Sequence, residues 1–303
     1  MLAFDSLAEL IQAFPDDQAC IDHFRAIRWK SGAFCPYCKS TKVYDFADKR
    51  THKCGTCRQR FSIKVGTIFE DSNVPFKKWF IAIWMITSHR KGISSAQLAR
   101  DIKVTQKTAW FMLHRLREAA RTKSFSRPLG GDVEADGTYL GGKERNKHAH
   151  KRSKTGKGTT GKTHVFGLLE RGGVMRAMKI EPAHAKDVRK AITDNVFPGS
   201  TLHTDDWRGY KGLDRRYDHQ KVRHTVGQYV RDKLYHTNGI EGAWGLFKRQ
   251  VFGIHHWIST KHTDRYLDEF SWRYTLRQME EGERVNAFLG RVSGRLTYKA
   301  LIA

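Results

Sequence analysis

Asp136, Asp205 and Glu241 are the residues of this chain whose type and spacing best suit chemistry. Thirty-five residues separate the second from the third, and Lys248 follows the glutamate seven positions on. A strand carboxylate, a strand-end carboxylate and a helical carboxylate are what a two-metal phosphoryl-transfer site requires. Its paired divalent ions sit about 3.5–4 Å apart, activating the attacking oxygen and stabilising the leaving one. Magnesium takes oxygen ligands and keeps several waters, so a few carboxylates suffice. Two Mg²⁺ (or Mn²⁺) ions per site are therefore expected.

Three rivals share these neighbourhoods. Glu134 rivals Asp136, with which it and Asp132 share one strand face, because side chains alternate with a period of two. Asp206 is adjacent to Asp205 and gives a spacing one residue shorter, and Asn238 stands three residues before Glu241. On the late helix Ile240, Trp244 and Phe247 form the apolar stripe. Glu241 and Lys248 are left together on another face, two turns apart. There Lys248 can hold a phosphate as a point charge.

The elements that must position these residues can be read along residues 128–303, expected to form one catalytic domain. Residues 128–131 (Pro-Leu-Gly-Gly) read as a linker. A strand over 132–140 comes next, then a basic loop, two strands meeting at the turn 170–173, and a helix around 183–196. A strand over 201–205, a helical or irregular segment around 207–213, a short strand over 220–224 and a long helix from about Asn238 complete the order. Three strands, helix, strand, helix, strand, helix is the order of a ribonuclease H-like α/β fold, a mixed sheet flanked by helices. Asp136 then falls on the first strand, Asp205 at the end of the fourth and Glu241 on the helix after the fifth.

Ahead of this domain, Cys35, Cys38, Cys54 and Cys57 form two CxxC pairs enclosing 15 residues. That spacing describes a closed four-thiolate site for one structural Zn²⁺, carried on a β-hairpin ribbon over residues 31–70. A closed site holds the fold and leaves catalysis elsewhere. The fifth cysteine, Cys20, reads as a small buried apolar residue. Residues 1–30 read as a helical segment, opened by a capping box at Ser6 and Glu9. Residues 71–127 read as a helical region whose members at 95–101 and 106–118 resemble a helix-turn-helix. Gln106, Lys107, Trp110, His114 and Arg115 are then expected on the exposed, DNA-facing side of its second helix. An αα-hairpin that merely packs gives the same pattern.

Composition fits a polyanionic partner. Lys and Arg number 55 against 31 Asp and Glu, a formal net charge of +24, and neutralising phosphates releases counterions. Residues 143–162 hold eight basic residues against one acid. Lys147, Lys151, Arg152 and Lys154 in this loop are candidate contacts to a phosphate backbone. The longest apolar run, 79–86, is far short of the ~20 residues that span a bilayer. With acids near the N-terminus and cysteines paired for metal, a cytoplasmic, nucleoid-associated protein with no membrane partner is expected.

Taken together, these residues resemble the ISXO-like DDE transposases of bacterial insertion sequences. The likeness rests on Arg28 and Trp29, the four-cysteine ribbon, and the stretches 133–143, 203–210, 236–244 and 261–270. It implies that Asp136, Asp205 and Glu241 bind the catalytic metals, with Lys248 as their basic companion. It further implies that the N-terminal module recognises double-stranded DNA at the element's terminal inverted repeats. Gly137 stands where many relatives have a second acid, and Thr275 where they often have Asn. The function to be expected is metal-dependent cleavage at the element ends and transfer of the 3′-hydroxyl into target DNA, by a homo-oligomer on DNA. Two alternatives use the same parts: a nuclease of this fold without strand transfer, and a zinc-ribbon/helix-turn-helix transcription regulator.

Overall fold

The computed structural model describes residues 4–121, 127–142, 146, 148–152, 159, 161–180, 184–222 and 236–303. Two compact units divide the chain: residues 1–122 with 276–303, and residues 123–275. The second unit ends before the 303 expected for a domain over 128–303, because residues 276–303 group with the first unit.

In the first unit α1 (Leu7–Ala13) and α2 (Asp17–Arg28) start where short polar side chains satisfy free backbone donors. Ser6 Oγ accepts from Glu9 N at 3.2 Å, and Asp16 Oδ1 accepts from Ala19 N at 2.9 Å. Strands β1 (Val43–Asp45), β2 (Thr51–Cys54) and β3 (Arg60–Ser62) form the antiparallel ribbon. Buried α3 (Phe76–Ser88) is followed by α4 (Ser95–Ile102) and α5 (Gln106–Ala120). Lys103, in the left-handed region at φ 49°, ends α4. Thr105 caps α5 by accepting from Thr108 N at 3.1 Å.

The returning segment carries α9 (Glu281–Leu289) and α10 (Tyr298–Ile302). It is part of this unit's core. Val285, Phe288, Leu289, Leu296 and Leu301 are all buried, and Ile68 N donates to Val292 O at 2.9 Å. Arg284 Nη1 donates to Thr87 O at 3.0 Å. Helix α9 sits so close to the N-terminal segment that a Cβ on Gly282 would lie 2.3 Å from Phe4 O.

Arg115 corrects the expectation of a DNA-facing side chain. It is 5% exposed and donates to Ile68 O at 2.9 Å, Glu70 O at 2.8 Å and Leu296 O at 3.2 Å. Its guanidinium also stacks 4.5 Å from the Phe111 ring centre. A buried guanidinium persists only where its donors are taken up, and here carbonyls at the ends of loops take them. His114 is buried as well. Gln106 and Lys107 do remain exposed. Gln106 Nε2 donates to Ser95 Oγ at 2.8 Å, and Lys107 Nζ lies 4.9 Å from the Tyr298 ring centre.

The second unit is built on β4 (Asp132–Leu140), β5 (Thr163–Glu170), β6 (Met175–Lys179), β7 (Thr201–Thr204) and β8 (Asp218–Lys221), with α6 (Ala185–Asn195), α7 (Asn238–Gln250) and α8 (Thr263–Thr275). Its strands run in the spatial order β6-β5-β4-β7-β8. β5 is antiparallel to β4 and β6, while β4, β7 and β8 are parallel. That order and polarity make the sheet ribonuclease H-like.

Alternation along β4 sends Val133 and Ala135 into a core with Val188 and Ile192 of α6. On the opposite face Ile240, Trp244 and Phe247 of α7 pack with Leu267 and Phe270 of α8. Gly167, paired with Asp136 across β4 and β5, lets α7 approach, since a Cβ there would lie 2.5 Å from the Trp244 ring. Thr275 ties the end of α8 to β6: its Oγ1 accepts from Met175 N at 3.1 Å and donates to Ser271 O at 2.8 Å. Among the described residues, no helix is long and apolar enough to cross a membrane.

Candidate active site

Three elements carry the three acids within electrostatic reach of one another. Asp136 is on β4, Asp205 directly follows its parallel neighbour β7, and Glu241 lies in the first turn of α7. Asp205 Oδ1 accepts from Trp207 N at 3.1 Å, which fixes the turn leaving the strand. Glu241 Oε1 accepts from Thr237 Oγ1 at 2.7 Å.

The carboxyl of Asp136 is pushed up to about 7. Burial is the leading cause, and the charges of Asp205 and Glu241 add to it. The Gly137 N–H and the Lys248 ammonium oppose them. Burial, with Asp205 and Asp136 adding their charge, also raises the Tyr210 phenol well above its usual value. The site is thus a cluster of mutually repelling acids with one lysine within electrostatic reach.

Removing a proton from Asp136 costs folding free energy, and the sign follows from its shifted pKa. The folded protein holds a proton that the unfolded chain releases near pH 4, so this contribution is present at low pH and lost as pH rises through about 7. Without Mg²⁺, and with zinc retained, the chain is expected to lose on the order of 2–4 kcal/mol between pH 5 and 8 from this residue. Denaturant unfolding of the wild type and of Asp136→Asn at both pH values checks this. A wild-type difference no larger than the variant's would refute it.

Glu134, a rival for the first position, is engaged elsewhere. It is 1% exposed, and its carboxylate accepts from Arg171 Nε at 2.9 Å and from Ile240 N at 2.8 Å. His236 Nδ1 lies 3.4 Å away. Thr237 provides no side-chain cap to α7, so Glu134 caps the helix from the neighbouring strand, where the helix dipole favours an anion. Gly239 leaves room for it, because a Cβ there would lie 2.8 Å from Glu134 Oε2. Glu134→Ala should destabilise the protein by about 3–5 kcal/mol, as expected when one partner of a buried ion pair is removed. Thermal unfolding measures the loss, and a change below ~1 kcal/mol would contradict this role.

The remaining polar residues beside these positions are more exposed. Asp132 binds His203 Nε2 at 2.7 Å with its carboxylate half in solvent, and Asp206 and Asn238 are exposed. At Gly137 a Cβ would lie 2.7 Å from His164 Nε2, so the imidazole occupies the space a second acid would need. Of the basic-loop candidates, Arg152 is exposed and Lys151 ends a short 3₁₀ turn. Lys147 and Lys154 lie outside the described residues.

The ribbon's sulfurs gather as a metal site should. Cys35 and Cys57 Sγ are 3.6 Å apart, and Cys38 and Cys54 Sγ 3.5 Å. Backbone N–H groups of Cys57 and Thr56 draw the Cys54 thiol down to about 6, toward the thiolate that binds metal. These four are the group of described Cys, His, Asp and Glu residues whose ligand atoms all lie within 4.8 Å of one another. This set fits structural Zn²⁺.

The family model for the ISXO2-like transposase domain matches residues 128–275, and that for the transposase zinc-ribbon domain matches residues 15–60. An uncharacterized protein in transposable element ISH50 of Halobacterium salinarum is 31% identical over 278 residues, spanning 87% of this chain and 92% of the relative. The chain belongs to the ISXO2-like transposase family. An uncharacterized transposase-like protein of Haemophilus influenzae is 30% identical over 84 residues, covering 27% of this chain and 66% of its own.

Among solved structures, the pre-cleavage Mos1 transpososome has a TM-score of 0.26 at 13% identity, covering 73% of this chain and 82% of that one. The mariner Mos1 paired end complex with Mg matches at a TM-score of 0.26 and 12% identity, with the same coverage. Neither likeness is close enough to carry an argument. The transposase's domain model ends at the residue where its second unit ends, Thr275.

Residue patterning alone admits Glu134 as a ligand and carries no signal for Arg171 or His164. The alternating acids 132, 134 and 136 were the one available signal. They mark the strand face without showing which carboxylate α7 covers.

Proposed function

We propose that this transposase cuts DNA at the ends of its element and joins the freed 3′-hydroxyl to target DNA. In this reading Asp136, Asp205 and Glu241 hold two Mg²⁺ or Mn²⁺ ions. The observation that carries it is the acid cluster itself. The charged form of a half-buried aspartate raised to about 7 by desolvation and two further carboxylates is unfavourable until hard cations displace its proton and neutralise it, and an all-oxygen donor set suits Mg²⁺ and Mn²⁺.

When bound, such ions lower the pKa of the attacking group and stabilise charge on the leaving oxygen. The chain's own contribution is positioning. The sheet fixes Asp136 and Asp205 on adjacent parallel strands, and Glu134 anchors the start of the helix that carries Glu241. Lys248, two turns further along that helix, holds a DNA phosphate near the acids. The exposed Gln106 and Lys107 of α5, the ribbon, and the cationic segment including Lys151 and Arg152 contact double-stranded DNA, and the ribbon unit reads the terminal inverted repeats. A net charge of +24 supplies the long-range attraction. Assembly on DNA as a homo-oligomer would bring two ends together.

Incubation with Mg²⁺ and a linear duplex bearing the element's ends, resolved on a gel, tests the proposal. Cleavage with joined product supports it. Cleavage without joining identifies a nuclease of the same fold, and retardation without cutting a regulator.

A further inference from the structure

A cleft of about 220 Å³ opens beside the acids, lined by Asp136, Gly137, Tyr139, His164, Phe166, Val188, Asp205, Trp207 and Tyr210. Apart from the two acids proposed to hold metal, its lining offers nothing to a phosphate. None of these residues is Lys or Arg, and two are the carboxylates themselves. Five carry aromatic or imidazole rings. Its volume is below the roughly 300–1,000 Å³ of clefts that take drug-sized ligands, so it accommodates a single planar ring system.

Two of the rings are held ready at its mouth. Trp207 is 42% exposed, although its position is closely set. Its backbone N–H donates to Asp205 Oδ1 at 3.1 Å, and its ring meets Tyr210 edge-on at 5.2 Å. It covers Gly209 so tightly that a Cβ there would lie 2.2 Å from it. Tyr139, 40% exposed, stands with its ring centre 5.0 Å from that of His164. Large aromatic rings left open beside a polar floor are poorly explained by packing alone.

We infer that this cleft receives one unpaired base of the DNA, extruded from the duplex next to the cleaved phosphate and stacked on Trp207. Bases inside a duplex are already stacked, so these rings reach a base only when it leaves the helix. Base–aromatic stacking is indifferent to sequence, while His164, which has filled the space beside Gly137, gives the floor a polar edge for a base to meet. The inference rests on the proposed cleavage of DNA by these acids.

Trp207→Ala tests it against substrates with an abasic site placed in turn at each position flanking the cut. On fully paired ends the variant should cut about 5- to 150-fold more slowly than wild type, the range expected from losing one base–aromatic stack. At one position the abasic substrate should abolish that difference, since no base remains to stack. Trp207→Phe should retain most of the rate. Normal cutting of paired ends by Trp207→Ala, or the same defect on every abasic substrate, would overturn the inference. If the wild type binds ends without cutting, the cleavage reading fails, and the cleft is still decided by 2-aminopurine at the same positions. One position should be brighter with Trp207→Ala than with wild type, and no difference anywhere would reject the cleft as a base site.

Discussion

Asp205→Asn is expected to lower DNA cleavage by about 10³-fold or more while leaving the fold and DNA retardation intact. Residues that only orient a metal's ligands typically cost 10–100-fold when changed, so a loss of this size would mark Asp205 as a direct ligand. Asparagine is the informative replacement because it keeps the oxygen that accepts from Trp207 N, and so preserves the turn after β7. It removes only the charge that divalent cations need. Asp136→Asn should match it. Cutting at the normal rate by either variant would show that the acid does not act where the proposal puts it. A gel time course with Mg²⁺, run beside a retardation assay, reads both quantities.

Loss of zinc should act on the other unit. The apparent binding energy of structural Zn²⁺ in small fingers is on the order of 10–16 kcal/mol, more than a three-stranded ribbon of short strands can supply by packing. Cys54→Ser is therefore expected to abolish stoichiometric zinc and unfold residues 31–70. The damage should spread to α2, since Arg28 Nη2 donates to Val65 O at 2.6 Å and Arg25 pairs with Asp45 of β1. Affinity for the element's ends should fall at least tenfold. Metal analysis and retardation of an end-bearing duplex measure the two effects. Unchanged affinity in a zinc-free variant would remove the ribbon from end recognition.

These expectations differ in how far the sequence supported them. The cysteine spacing located the ribbon because four thiolates around one ion leave few arrangements. The strand and helix order of the second unit was legible from alternation and from turn residues. Its boundaries were less so: the last strand lies at Asp218–Lys221 rather than 220–224. Arg115 was misread for a definite reason. Helical periodicity identifies a polar side chain on one face of α5 but cannot reveal that residues 276–303 return to cover it. Glu134 was ambiguous on similar grounds. A period of two places it beside Asp136, and only the docking of α7 shows which carboxylate is covered and which stays open.

That returning segment also orders events during synthesis. Residues 123–275 leave the ribosome as an uninterrupted stretch and hold everything their sheet requires. The ribbon-bearing unit, in contrast, keeps Ile68, Thr87 and Arg115 waiting for partners more than 160 residues downstream. A nascent transposase would therefore carry a finished sheet before its other half has matured, so premature termination beyond Thr275 would yield a chain able to fold that sheet but not to complete the ribbon-bearing body.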